Sequence, residues 1–165
     1  ALASYFAEVT EKTVQEGEVC PDILSLLLNC LYALDTLDKP LEQVKAVFQL
    51  RLLTLTGLAP LLDSCVVCGN PQPAEPRLHL LQGVLHCAAC RTQVGDGVSM
   101  PLSPAALAAA RYIVAGEAKK LFSFSLTPEA CKQLDQVTEA FLMTQQERGF
   151  RTLDYYKQLR RQSFS

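Results

Sequence analysis

Four of the seven cysteines form two C-x2-C pairs, and this spacing carries the clearest chemistry of the chain. The pairs are Cys65/Cys68 and Cys87/Cys90, with eighteen residues between them. Thiolates three positions apart on a tight turn can reach one small ion, so two such turns supply the tetrahedron of sulfurs that Zn²⁺ prefers. Gly69 follows the first pair, where the turn needs a positive φ. Because four protein ligands leave no open coordination position, the pattern predicts a structural zinc site.

Three other interpretations of the four cysteines stay open. Disulfides require an oxidising compartment, but no signal peptide is visible and the cysteine count is odd. A redox C-x-x-C motif is expected beside a βαβ pattern, which the sequence does not show. An iron–sulfur cluster also accepts four thiolates, and spacing alone excludes it poorly. Zinc remains the preferred interpretation.

Two histidines could compete with this assignment. Three further cysteines, Cys20, Cys30 and Cys131, lie outside the two pairs. His86 precedes Cys87 directly and could replace a thiolate, but four well-spaced cysteines make a histidine ligand unnecessary. We expect His79 and His86 to be surface or hairpin residues. Cys30 and Cys131 lie in apolar helical patterns, where cysteine serves as a small buried hydrophobe.

The elements that must position the two pairs are mainly helical. Apolar periodicity predicts five helices and a short sixth one, with the first ending near Gly17. The second begins at Pro21 and is apolar on nearly all sides, so we expect it to be central in the core. The short sixth helix is predicted over residues 153–159. No apolar run is long enough to span a membrane.

The cysteines fall between the third and fourth helices. Arg77–His86 predicts two short strands around a Gln82-Gly83 turn, which is typical of a zinc-ribbon hairpin. We therefore predict an all-α helical domain, residues 1–61 and 94–165. An inserted small zinc-ribbon-like β-hairpin module, residues 62–93, would hold the four-cysteine zinc site.

Charge is distributed unevenly along the chain, although the net charge is only −2. Residues 1–64 carry a net charge of −5, and residues 65–165 carry +3. A basic terminal stretch can hold phosphates or an acidic peptide. The candidate DNA-binding or partner-binding residues in that stretch are Arg148, Arg151, Lys157, Arg160 and Arg161.

The segment before the first cysteine pair resembles a known signature. Gly57–Leu62 is similar to the Gly-x-x-Pro-x-Leu end of a helix that precedes the first zinc pair in the RecO family of DNA repair and recombination proteins. Gln82–Cys90 resembles the second zinc knuckle of that family, where Gly-Gly is more usual than Gln82-Gly83. Arg148–Leu153 resembles the C-terminal segment of the family.

The resemblance implies a recombination mediator and no enzyme, and the sequence offers no HExxH, GxSxG or P-loop motif. Such proteins bind single- and double-stranded DNA, anneal complementary strands, and act with RecR and often RecF to load RecA. Their helical domain receives the acidic, apolar C-terminal tail of the single-stranded-DNA-binding protein, which requires an apolar groove with flanking cations. The resemblance therefore implies a bacterial protein of the cytoplasm that is associated with the nucleoid. It implies neither a small-molecule substrate nor a membrane partner.

One departure from the family concerns the N-terminus. Family members begin with an OB-fold, and nothing in this sequence corresponds to it, so we expect a fragment that lacks that domain. OB-folds bind single strands through basic grooves and stacking aromatics, so much DNA affinity is expected to be missing. The alternative function is a zinc-ribbon adaptor of the transcription or translation machinery.

Overall fold

A computed structural model describes residues 1–14, 17–18 and 20–164. Within them the helices are α1 (Leu2–Thr13), α2 (Pro21–Asp35), α3 (Leu41–Leu55), α4 (Pro104–Ala115), α5 (Pro128–Gln146) and α6 (Arg151–Ser163). The strands are β1 (Arg77–His79), β2 (Val84–His86) and β3 (Ser99–Pro101), and short 3-10 helices cover Ala88–Gln93 and Ala118–Lys120. The predicted class, an all-α domain with an inserted zinc-ribbon-like module, is confirmed. No helix in this part of the chain combines the length and apolar character that crossing a bilayer demands.

Helix α3 is the centre of the structure. Every residue from 43 to 50 is buried, and so are Leu52 and Leu53. Helices α2, α4 and α5 all pack against it. A helix buried on nearly all sides must have partners for its polar side chains, because an unpaired buried polar group is costly. Helix α5 supplies such partners to Lys45 and Gln49.

Helix α2 was predicted to be central, and this prediction is wrong. It buries one face, made by Ile23, Leu26, Cys30 and Ala33. The opposite face exposes Leu24 and Leu28 at 56% and Tyr32 at 58%. Leucine on all sides shows only that a helix can be buried, whereas position in the bundle depends on its neighbours. Here α3 takes the central place because α5 satisfies its polar groups.

Two helices begin at a side-chain cap. The Ser103 hydroxyl accepts the Ala106 N–H at 3.1 Å at the start of α4, and Thr127 accepts the Ala130 N–H at 3.2 Å at the start of α5. Two helix ends differ from the predicted ones. Helix α1 stops at Thr13 instead of near Gly17, while residues 15 and 16 lie outside the described part. Helix α6 is longer than residues 153–159, because Thr152 at its start is held by α1.

The sheet has the antiparallel order β2-β1-β3. The predicted hairpin corresponds to β1 and β2, with Leu78 opposite Leu85. The third strand was not predicted, and it pairs with the outer edge of β1, with Leu78 opposite Met100. Leu78 and Leu85 belong to the same apolar core as the helices, together with Leu80. The sheet is therefore packed on the helical bundle and shares its core.

A buried polar network joins α3 to α5. The Lys45 side chain is 2% exposed, and its ammonium contacts Asp135 at 2.8 Å and also pairs with Glu139. Gln49 donates to Thr138 at 2.9 Å and accepts the Tyr5 hydroxyl at 2.8 Å. Burial raises the pKa of Asp135, and Lys45 offsets only part of this effect. Burial also opposes ionisation of Glu139, but Lys45 and then Lys157 outweigh it and lower the pKa.

We predict that Lys45→Met strongly destabilises the fold at neutral pH, by about 3–5 kcal/mol, because the largely buried Asp135 loses its cation and Glu139 keeps only Lys157. In the variant burial still raises the folded-state pKa of Asp135, while Glu139 keeps Lys157 as its cation partner. The loss should therefore be full at neutral pH and shrink as the pH falls toward about 4, where Asp135 accepts a proton. Urea denaturation of both proteins from pH 4 to 8 measures this difference. Lys132→Met, which removes an exposed lysine of α5, is the matched control, and an equal loss in both variants would contradict the account.

Candidate metal centre and partner groove

The two cysteine pairs lie on tight turns beside the sheet. Gly69 has a φ of +74°, and its N–H donates to the Cys65 carbonyl at 2.9 Å, which closes the first turn as the sequence predicts. Cys87 directly follows β2, and the Cys90 N–H donates to the Cys87 carbonyl at 3.1 Å. The Val66 N–H donates to the Leu85 carbonyl at 2.9 Å, which ties the first turn to β2.

The structure brings the four predicted cysteine sulfurs together. The Sγ atoms of Cys65, Cys68, Cys87 and Cys90 all lie within 4.8 Å of one another, and the Cys68 and Cys87 sulfurs are 3.7 Å apart. A tetrahedral ion with Zn–S bonds of about 2.3 Å has sulfurs about 3.8 Å apart. The spacing therefore fits one tetrahedral ion, and all four cysteines are free thiols in the structure.

The surroundings of the four sulfurs shift the pKa values of these thiols in opposite directions. Burial by itself would raise the pKa of the Cys65 thiol. Backbone N–H groups of Cys68, Cys87 and Val67 donate to that sulfur, however, and lower its pKa to about 6. Burial and the neighbouring sulfurs raise the pKa of Cys87 to about 12, and the same effects raise the pKa of Cys90. A bound dication would remove this penalty.

Both histidines are buried in the hairpin and lie outside the sulfur cluster. His86 Nδ1 contacts the Cys87 carbonyl at 2.8 Å and its Nε2 contacts the Ser99 hydroxyl at 2.7 Å. His79 Nδ1 accepts the Gln82 N–H at 3.2 Å. The hairpin location was predicted, but a surface position is wrong. The rings are buried because they lie between strands. His79 of β1 contacts the Asp96 carbonyl before β3, and His86 of β2 contacts Ser99 of β3.

Two side chains from the helices hold the metal module. Arg111 of α4 donates to the Leu62 carbonyl at 2.8 Å and to the Pro71 carbonyl at 2.7 Å, on both sides of the first cysteine turn. Gln145 of α5 donates to the Leu80 carbonyl at 2.8 Å. Sequence reasoning did not single out either residue, because donors to backbone carbonyls leave no spacing pattern.

A groove of about 1100 Å³ lies between the start of α3, α5 and α6. Its lining includes the predicted cations Lys157, Arg160 and Arg161, whereas Arg148 and Arg151 are not part of it. It also contains apolar and further charged side chains, namely Leu126, Cys131, Tyr156, Phe164, Lys45, Lys132, Glu42, Asp135 and Glu139.

Lys132 is the groove residue that sequence reasoning missed. It is exposed, and the described residues give it no ion pair. The signal was present in α5, where Lys132, Gln136 and Glu139 recur at helical spacing beside the apolar face. Lys132 lies outside the basic C-terminal stretch from which the candidate residues were taken.

The groove has both charged and apolar lining residues. Arg160 Nη2 lies 2.6 Å from Glu42 Oε1, and Lys157 pairs with Glu139. The Arg160 guanidinium also stands over the Phe164 ring, at 5.1 Å from the centroid. Burial raises the pKa of Tyr156 to about 12, so its hydroxyl keeps its proton and can donate to an anion. The arrangement suits a short ligand with carboxylates and an apolar side chain.

Comparisons with known proteins agree with this geometry. The family model described as Recombination protein O C terminal matches residues 1–154. The chain is 28% identical over 159 residues to the DNA repair protein RecO of Acetivibrio thermocellus, covering 96% of this chain and 62% of that protein. It is 33% identical over 144 residues to the DNA repair protein RecO of Anaeromyxobacter sp. strain Fw109-5, covering 86% and 55%.

A helical bundle with a four-cysteine ribbon defines the class of protein, and the match over residues 1–154 gives the family. The chain belongs to the RecO family, in its C-terminal region. It spans a little under two thirds of the length of the RecO proteins of Acetivibrio thermocellus and Alkaliphilus metalliredigens, at 62% and 64%.

We predict that Arg111→Met loosens the metal module and lowers the free energy of unfolding by about 1–3 kcal/mol, because the carbonyls of Leu62 and Pro71 lose a charged donor. Urea denaturation measures the loss. Arg148→Met, which removes an exposed arginine without an ion pair among the described residues, is the matched control. Equal stability of the Arg111 variant and the wild type would show that the contact is dispensable.

Proposed function

We propose that this chain is the partner-binding region of a mediator of DNA repair and recombination. The observation that carries the proposal is the groove, where Lys132, Lys157, Arg160 and Arg161 lie beside apolar side chains on a chain whose family is RecO. We propose a binding role without enzymatic turnover, and the RecO family favours the mediator over a transcription or translation adaptor. We also propose that it acts at the bacterial nucleoid, in the cytoplasm.

The metal we propose is one structural Zn²⁺ held by Cys65, Cys68, Cys87 and Cys90. Sulfurs within 4.8 Å of one another favour a single tetrahedral ion over an iron–sulfur cluster, whose several irons would separate the thiolates. The ion would fix the two turns, and thereby the end of the segment Gly57–Leu62 that precedes the first cysteine pair. We retain the proposed division into a metal module, residues 62–93, and a helical body, residues 1–61 and 94–165, with β3 extending the sheet of the module.

We predict about one zinc per chain in protein prepared without chelator. Cys65→Ser should lose the metal and melt at least about 5 °C lower, because metal binding contributes folding free energy. Elemental analysis and thermal unfolding measure both effects. Cys20→Ser, which removes a half-buried thiol outside the cluster, should keep the zinc. A metal-free wild type that melts like a zinc-loaded one would disprove the assignment.

We propose that the groove receives the acidic, apolar C-terminal tail of the single-stranded-DNA-binding protein. Lys132, Lys157, Arg160 and Arg161 would contact the carboxylates of the tail, since all four line the groove. Leu126, Tyr156 and Phe164 would contact its apolar side chain. A peptide that combines a charged end with an apolar anchor matches such a groove better than a purely electrostatic surface would.

The remaining partners are proposed from the family. We propose that the complete protein binds single- and double-stranded DNA and acts with RecR. Arg148 and Arg151 are exposed at the start of α6 and lie away from the groove lining. They are therefore the candidates for contacts to phosphate, while Lys157, Arg160 and Arg161 are candidates for tail binding. No small-molecule substrate is proposed.

The tail assignment is tested with a fluorescent peptide that has several acidic residues, one phenylalanine and a free terminal carboxylate. We predict salt-sensitive binding that Lys132→Ala weakens about three- to tenfold, because one flanking cation is lost. Fluorescence anisotropy at low and high salt measures it. Lys119→Ala removes an equal charge from a 3-10 helix outside the groove and is the control. A larger effect of Lys119→Ala, or no binding at low salt, would refute the groove as the tail site.

A further inference from the structure

Two cations of the groove, Lys157 and Arg160, are already paired with carboxylates of the chain itself. Arg160 Nη2 contacts Glu42 Oε1 at 2.6 Å, where α6 meets the first turn of α3. Lys157 pairs with Glu139 of α5. An acidic ligand that enters the groove therefore meets cations that hold internal partners. These internal carboxylates occupy positions that ligand carboxylates would otherwise take.

The two internal carboxylates differ in how firmly they are held. Glu139 also pairs with the buried Lys45, so moving it would leave a buried ammonium with Asp135 alone. The ion pair that the structure gives Glu42 is with Arg160, and the two side chains are 30% and 37% exposed. An ion pair this exposed is worth only about 0–1 kcal/mol, so it exchanges easily. Glu42 is therefore the carboxylate that a ligand can replace.

Two features make the released state accessible. Glu42 lies in the first turn of α3, where the positive end of the helix dipole stabilises a carboxylate that has no cation partner. Arg160 keeps a second contact when Glu42 leaves, because its guanidinium also lies over the Phe164 ring. A guanidinium has five N–H donors, so a ligand carboxylate can contact Arg160 before the Glu42 contact breaks.

We infer that Glu42 is an internal competitor that sets the affinity of the groove, and that an acidic ligand binds by taking its place on Arg160. The inference rests on the proposed tail-binding function and deepens it. It assigns to Glu42 a role opposite to that of the surrounding cations, because removing this acidic side chain improves binding. A ligand with several carboxylates gains most, since it can contact Lys132 while it replaces Glu42.

The test compares the wild type, Glu42→Gln and Glu129→Gln in titrations with the same fluorescent acidic peptide at low salt. Glu129 is exposed in the first turn of α5 and has no ion pair among the described residues, so its variant controls for the loss of one negative charge. We expect Glu42→Gln to bind about two- to fivefold more tightly than both other proteins. Thermal unfolding checks that the variants are folded, which the exposure of Glu42 favours.

The outcomes separate this inference from the proposed function. Tighter binding by Glu42→Gln than by Glu129→Gln supports the exchange. Equal affinities of the two variants, or weaker binding by Glu42→Gln, overturn the exchange while the tail site stands, since weaker binding would mean that Glu42 positions Arg160. Absence of binding by all three proteins overturns the tail site and the exchange together.

Discussion

The burial of Lys45 in the central helix is the constraint on which much of the structure depends. A buried ammonium is tolerated only when carboxylates surround it, and α5 supplies Asp135 and Glu139 for this purpose. This pairing fixes the register and rotation of α5 against α3, and the hydrogen bond from Gln49 to Thr138 follows the same contact line. The apolar residues of both helices then meet in one core.

Glu139 also connects the buried Lys45 to helix α6. One of its oxygens binds Lys45 and the other binds Lys157 of α6. Helix α6 buries only Leu153 and Tyr156, so polar contacts hold much of its length. Glu8 of α1 accepts the Thr152 N–H at 3.0 Å at its start, and Glu42 contacts Arg160 near its end. The position of the groove cations is thus a consequence of charges placed in α1, α3 and α5.

The sequence was sufficient for the features that depend on local chemistry. The cysteine spacing, Gly69 and the Arg77–His86 hairpin each depend on residues close together in the chain, so pattern alone identified them. Position in the bundle was not accessible in this way, because leucine-rich α2 looks more central than α3, which carries Lys45, Gln43 and Gln49. Lys45 and Gln49 are buried because α5 pairs with them across about ninety positions of the sequence, as in the Lys45–Asp135 contact. Gln43 instead donates to the Phe124 carbonyl at 2.9 Å, just before α5 begins.

The proposed zinc and the buried ion pairs would stabilise different parts of the molecule. The four sulfurs join two turns at the surface of the sheet, whereas Leu78, Leu80 and Leu85 attach the sheet to the helical core. Arg111 and Gln145 add contacts from α4 and α5 that do not involve the ion. Loss of the metal should therefore loosen the cysteine turns first and leave the Lys45 network intact. Because Glu139 joins that network to Lys157 of the groove, we expect the groove cations to keep their positions when the cysteine turns loosen.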